Sequence, residues 1–167
     1  CKFPDGESTI LSLTFSSLMI KFLLKFFFQV YSTTKINLCY YFSMKNKLKI
    51  GIIGLGTVGQ GVVKVLEQYD DIDIVCACVR NLSKKREVNV EQLVDDVNLI
   101  VDNPEIQIVV EVAGGTWVCD ALIRAMQNKK HIVTANKELL ALCGTELFKI
   151  AQENKVSLLY EVHYLYH

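Results

Sequence analysis

Leu48-Lys49-Ile50-Gly51-Ile52-Ile53-Gly54-Leu55-Gly56-Thr57-Val58-Gly59 runs from apolar, β-branched residues straight into a GxGxxG loop. The order reads strand, tight glycine turn, helix start. Gly54 permits the turn, Gly56 lets a pyrophosphate approach a backbone without a Cβ, and Gly59 lets the helix pack closely on the strand. The free amides of Thr57 and Val58, at the positive end of that helix, then face the phosphates. Alone, the pattern is a glycine-rich turn that can arise by chance. Its strand–loop–helix setting makes it a dinucleotide fingerprint.

Working outward, Ile50, Ile52 and Ile53 suit a parallel strand buried on both faces. Val58, Val62, Val65 and Leu66 share one face of the helix predicted over Thr57 to Gln68. Strands are predicted at Lys47 to Gly54, Ile72 to Val79, Gln107 to Val112, His131 to Thr134 and Val156 to Glu161. Between them fall a polar loop (Asn81 to Asn89) and a short helix (Asp95 to Val101) ended by Asp102-Asn103-Pro104. Gly114-Gly115-Thr116 reads as a turn and helix cap before a stripe of Val118, Leu122, Ala125 and Met126. Asn136 starts a further helix with Leu140, Cys143, Leu147 and Ala151 on one face, which Gly144 is expected to break in two. The alternation predicts an α/β fold, a Rossmann-type doubly wound, mostly parallel sheet with helices on both faces. The expected domain is 44–161, with an apolar extension at 1–43 and a divergent end at 162–167.

The formal charge of zero over 167 residues argues against a large nucleic-acid footprint. The six cysteines form no CxxC pair and no zinc-type grouping. Cys76 and Cys78 share one strand face and read as buried free thiols of a reducing cytosol, not as a disulfide or metal site. Ile10 to Val30 is long enough to span a membrane. Lys21 and Lys25 count against that, because each charge costs a few kcal/mol in a bilayer. A signal peptide lacks its basic start and cleavage site. The remaining reading is that this stretch lies outside the mature protein and that Met44 is the natural start.

Three further signals carry chemistry. An NAD-selective site places an acid about 20 residues after the loop; here stands Arg80, followed by Lys84, Lys85 and Arg86. A guanidinium there can hold a 2′-phosphate, which points to NADP over NAD, and the bland alternative is a solvated basic loop. Glu111-Val112-Ala113-Gly114-Gly115-Thr116 leaves a strand through two glycines. Gly114 and Gly115 can approach the nicotinamide ribose and Thr116 can offer a hydroxyl; an ordinary helix cap would look the same. Val133-Thr134-Ala135-Asn136-Lys137 opens a helix at the same sheet edge. A lysine opposes the dipole there, which suggests a use for its ammonium on a developing alkoxide; a surface lysine is the alternative. His131 reads as a core-edge histidine and Trp117 as a helix-start packing residue. His163 and His167, four apart, read as an unrelated end, not a metal pair.

In order and spacing, Gly54 to Gly59, Glu111 to Thr116, Thr134-Ala135-Asn136-Lys137 and Leu159-Tyr160-Glu161 resemble homoserine dehydrogenase, as do Asp102 to Ile106 and Gly144 to Phe148. The resemblance spans Lys47 to Glu161. It implies reversible, NAD(P)H-dependent reduction of L-aspartate 4-semialdehyde to L-homoserine, toward threonine, methionine and isoleucine, in a cytoplasmic, homo-oligomeric parent. It further implies that Lys137 is one of two active-site lysines, that Gly114, Gly115 and Thr116 contact the cofactor, with Asn136 beside Lys137, and that Glu161 is a ligand of a monovalent cation. After Glu161 the sequence departs from the family, whose substrate and dimerisation domain has no counterpart here. That departure suggests a fragment that binds cofactor weakly without turnover. The alternatives are another NAD(P)-dependent amino-acid-pathway reductase, or a nucleotide-sensing regulatory module tethered to a membrane by the amino-terminal segment.

Overall fold

The computed structural model describes residues 47–160. The amino-terminal stretch, Met44, Glu161 and 162–167, for which the sequence raised expectations, lie outside those residues. β1 (Leu48–Ile53) runs through the middle of a six-stranded sheet whose pairings are all parallel. α1 (Thr57–Leu66) returns the chain to β2 (Ile72–Cys78), and a long loop leads to β3 (Leu93–Val94). α2 (Asn98–Val101) then precedes β4 (Ile108–Glu111), α3 (Cys119–Gln127), β5 (His131–Thr134), α4 (Lys137–Asn154) and β6 (Leu158–Tyr160). The strand order is β3-β2-β1-β4-β5-β6. The direction of winding therefore reverses between β1 and β4, which opens a crevice at their carboxyl ends.

Both faces of β1 are dry. Ile50 and Ile52 pack with Val62, Val63 and Leu66 of α1, while Ile53 faces Leu122 and Met126 of α3 and Leu139 and Leu147 of α4. Such two-sided burial requires the continuous β-branched run, since an alternating strand would bury polar groups. The doubly wound α/β architecture expected from the sequence is present.

Several local expectations give way to packing. The buried stripe of α1 is Gly59, Val62, Val63 and Leu66, and Val58 turns toward the crevice. β3 is two residues long, too short to leave a period, and the helix expected from Asp95 shrinks to α2. Gly144 does not break α4, which runs 18 residues unbroken with Leu139, not Leu140, on its buried face. The roughly 1 kcal/mol penalty of a mid-helix glycine is outweighed by burial of the turns on either side. α3 starts at Cys119 behind Val118 without a side-chain cap, so Thr116 is not the helix cap.

Cys76 and Cys78 are free and buried, and desolvation pushes the Cys76 thiol up to about 11, so neither is primed to react. Cys119 and Cys143 are joined as a disulfide that ties α3 to α4, a pairing the spacing of the cysteines did not suggest. Among the described residues no helix is long and apolar enough to cross a membrane.

His131 sits at the core edge as expected. Its Nδ1 accepts a hydrogen bond from the Ser157 amide at 3.0 Å, linking β5 to the start of β6. Desolvation lowers its pKa below the ordinary 6.5, and a protonated ring would lose that acceptor. The unfolded chain therefore holds the proton more tightly. This contribution to stability is fully present above about pH 6.5 and is lost as pH falls toward the folded-state value. Urea unfolding of wild type and His131→Gln at a series of pH values is expected to show a shallower loss of stability below about pH 6.5 in the variant.

Candidate dinucleotide site

The crevice is shaped by three backbones that touch. Gly54 has φ +96°, and a Cβ there would stand 2.6 Å from Ala113 Cα and 2.7 Å from its nitrogen. A Cβ on Gly59 would strike the Gly54 carbonyl oxygen. Gly56 differs, because among the described residues nothing lies within 4 Å of where its Cβ would point. The first and third glycines are thus needed to pack the protein against itself, while the second leaves open space. Gly56 is also the N-cap of α1, with no side-chain hydrogen bond over the helix end and no acid in the first turn. The first amides of α1 are therefore not capped by a side chain, a setting suited to an anion.

Two clefts meet at this point. The larger, about 560 Å³, holds Gly54, Gly56, Arg80, Lys84 and Arg86, and also Asp95 and Trp117. The smaller, about 310 Å³, is lined by Val58, Val112, Gly114, Ala135, Asn136 and Lys137. The basic group predicted from sequence lines the larger cleft and the lysine the smaller; Val112 lines both, and the glycine loop lends Gly54 and Gly56 to the first and Val58 to the second.

The basic loop is held in place. Arg86 donates from Nη1 to the Lys84 carbonyl and from Nη2 to the Asn81 carbonyl, both at 2.7 Å, and its buried Nε has no partner among the described residues. Gln60 of α1 accepts from the Glu87 amide at 2.8 Å, and Lys64 pairs with Glu87 at 2.7 Å. Arg86 thus spends its fork on the loop backbone, while Arg80 is exposed toward the cleft.

At the other end a buried network joins the two loops that follow β4 and β5. Glu111 is fully buried. Its carboxyl accepts from the Thr134 hydroxyl at 2.5 Å and from the Ala113 amide at 2.9 Å. The Thr134 oxygen in turn accepts from the Asn136 amide at 3.0 Å. Asn136 caps α4 by accepting from the Leu139 amide at 3.0 Å, and its Nδ2 donates to the Gly115 carbonyl at 2.6 Å. Gly114 and Gly115 take φ +73° and +78°, which suits glycine. Lys137 begins α4 exposed, and Glu138 beside it offsets the charge it brings to the helix start. Thr116 lines neither cleft; its carbonyl accepts from the Cys119 amide at 3.1 Å.

Sequence reasoning missed the Glu111 network, although an acid ending a strand of Ile-Val-Val is a legible sign of a buried polar partner. It also missed Asp95, because the strand that delivers it is two residues long. Trp117 is not a packing residue: it is 53 % exposed and lines the larger cleft. Glu161 lies outside the described residues, and among those described no cluster of His, Cys, Asp or Glu is placed to hold a metal.

The chain's sequence and fold match a known family. The family described as "Homoserine dehydrogenase, NAD binding domain" matches residues 54–161. The chain belongs to that family. Homoserine dehydrogenase of Bacillus subtilis is 39 % identical over 126 residues, and that of Synechocystis 42 % over 124. Each match covers 68 % of this chain and 29 % of the relative, so the chain spans under a third of those proteins' length. Among solved structures, S. aureus homoserine dehydrogenase at pH 8.5 superposes with a TM-score of 0.66 at 43 % identity, covering 71 % of this chain and 33 % of that one. The Thiobacillus denitrificans enzyme gives 0.65 at 38 %, covering 70 % and 30 %. An NAD(P)-binding domain is what the open Gly56 cradle fits.

Thr134→Val keeps the side-chain shape but leaves a Glu111 oxygen and the Asn136 amide without a partner. It is expected to cost about 1–3 kcal/mol in urea unfolding, while Thr134→Ser, which keeps the hydroxyl, costs less.

Proposed function

We propose that this chain is the dinucleotide-holding part of an NADP-preferring homoserine dehydrogenase, which interconverts L-aspartate 4-semialdehyde and L-homoserine. The observation that carries the reading is that the glycine loop borders both clefts, with Gly54 and Gly56 in the one that holds Arg80 and Val58 in the one that holds Lys137. In this reading residues 44–161 form the domain. The amides of Thr57 and Val58 receive the diphosphate, Gly56 makes room for it, and Arg80 pairs with the ribose 2′-phosphate. Gly114, Gly115 and Asn136 border the nicotinamide half.

Bound there, the cofactor supplies hydride exchange with the substrate carbon. Reduction of an aldehyde gathers negative charge on its oxygen. Lys137, at the smaller cleft, holds an ammonium where that charge is stabilised and a proton can be delivered. In the reverse direction the neutral amine of Lys137 takes up the proton of the alcohol and becomes the ammonium. The complete enzyme is proposed to be a cytoplasmic homo-oligomer, with Glu161 among the ligands of a monovalent cation.

Asp95 favours a second reading of the cofactor. Its carboxylate lines the same cleft as Arg80; it can accept from ribose hydroxyls and would repel a 2′-phosphate. Calorimetric titration with NADPH and NADH decides between them. Tighter binding of NADPH, lost by about 10-fold in Arg80→Ala with NADH affinity nearly unchanged, is the expected result. Equal or tighter NADH binding would favour NAD. For the activity, a chain extended through the length its relatives share is expected to reduce NADP⁺ with L-homoserine, and Lys137→Met to lower kcat by about 100-fold. An unaltered kcat would remove Lys137 from the reaction.

A further inference from the structure

We propose that the Trp117 indole forms one wall of a slot for the adenine base of the dinucleotide. The proposal deepens the dinucleotide reading and depends on it. Nothing in the glycine fingerprint calls for an aromatic ring here, and no motif singled it out.

The indole stands 53 % exposed, although Val118, next in the chain, is completely buried. It also stands over the glycine turn: a Cβ on Gly115 would lie 3.3 Å from Trp117 Cδ1, so the absence of a side chain there leaves the ring its room. That loop is pinned on both sides of the tryptophan. The Gly115 carbonyl receives Asn136 Nδ2, the Thr116 carbonyl receives the Cys119 amide, and Cys119 is bonded to Cys143 of α4. One side of the indole is therefore braced and much of the rest meets water.

The cleft it meets contains Gly54 and Gly56 as well as Arg80 and Lys84; Lys137 lines the other cleft. A nucleotide with its diphosphate at Gly56 and its 2′-phosphate at Arg80 keeps its adenosine in this larger cleft. The base is the flat, apolar part of that half. An exposed indole offers it a π face and removes apolar surface of both from water. Base–aromatic stacking tolerates either nicotinamide cofactor, so Trp117 would set affinity while Arg80 sets the choice between them.

Trp117 is the only tryptophan in the chain, so its emission reports on this contact alone. The test uses the 167-residue chain, titrated by calorimetry with NADPH and with 2′,5′-ADP, which keeps the adenine and lacks the nicotinamide. Wild type is expected to bind both, with Trp117 emission changing as 2′,5′-ADP saturates. Trp117→Ala and Trp117→Leu are expected to weaken both ligands about 10-fold, while Trp117→Phe, which keeps a ring, stays within about threefold of wild type. Thermal melting of each variant checks that the fold is kept. Unchanged affinity in the Ala and Leu variants, a Phe variant as weak as Ala, or emission indifferent to saturating 2′,5′-ADP would each overturn the proposal. A folded wild-type chain that binds neither ligand would instead refute the dinucleotide reading, and this proposal with it.

Discussion

The crevice exists because three stretches of backbone come closer than side chains allow. At the carboxyl end of β1 the chain turns at Gly54 hard against Ala113, and α1 crosses so near that Gly59 abuts the Gly54 carbonyl. Any side chain at either glycine would separate β1 from β4 or lift α1 off the sheet. This contact fixes the width of the switch point and aims the start of α1 at it. The clefts on either side, the direction of the helix dipole and the reach of Arg80 and Lys137 all follow from it.

A second constraint holds the far side. The loops after β4 and β5 are separate in sequence, yet Glu111, Thr134, Asn136 and Gly115 form one chain of hydrogen bonds between them. A fully buried carboxyl is costly unless each oxygen is satisfied, and here each has a donor. The network therefore does more than offset a burial penalty. It sets the register of the glycine loop against the start of α4, and so the distance between Gly114 and Lys137. The disulfide between α3 and α4 ties the helices that grow from the same two loops.

Electrostatically the crevice is divided. Arg80, Lys84 and Arg86 line the larger cleft, with Arg86 committed to the loop backbone, and among the described residues Lys137 is the charged side chain of the smaller. The middle contributes backbone amides and little else. Such a division suits a ligand with phosphates at its centre and one end, and a separate substrate whose oxygen gathers negative charge at the other. Asp95 is the exception in the basic half, and it comes from a strand whose two residues left no trace in the hydrophobic pattern.

Apart from β3, the order of strands and helices, the parallel sheet and the positions of the glycine loop, the GGT turn and the TANK helix start were readable from residue order. Burial period and glycine placement are local properties, and a β-branched run ending in GxGxxG has few other ways to fold. What the linear pattern misjudged was decided by neighbours distant in sequence. Gly144 stays helical because α4 is packed along its length. The Glu111 carboxyl finds its donor 23 residues away. Cys119 and Cys143 meet because α3 and α4 lie side by side. Trp117 is turned to the cleft because the loop beneath it is pinned from α4. The sequence by itself determined which elements form and which residues stand at their ends. Only the tertiary structure decided which of those ends face one another, because hydrogen bonds and packing across the sheet are made between segments that the chain order leaves far apart.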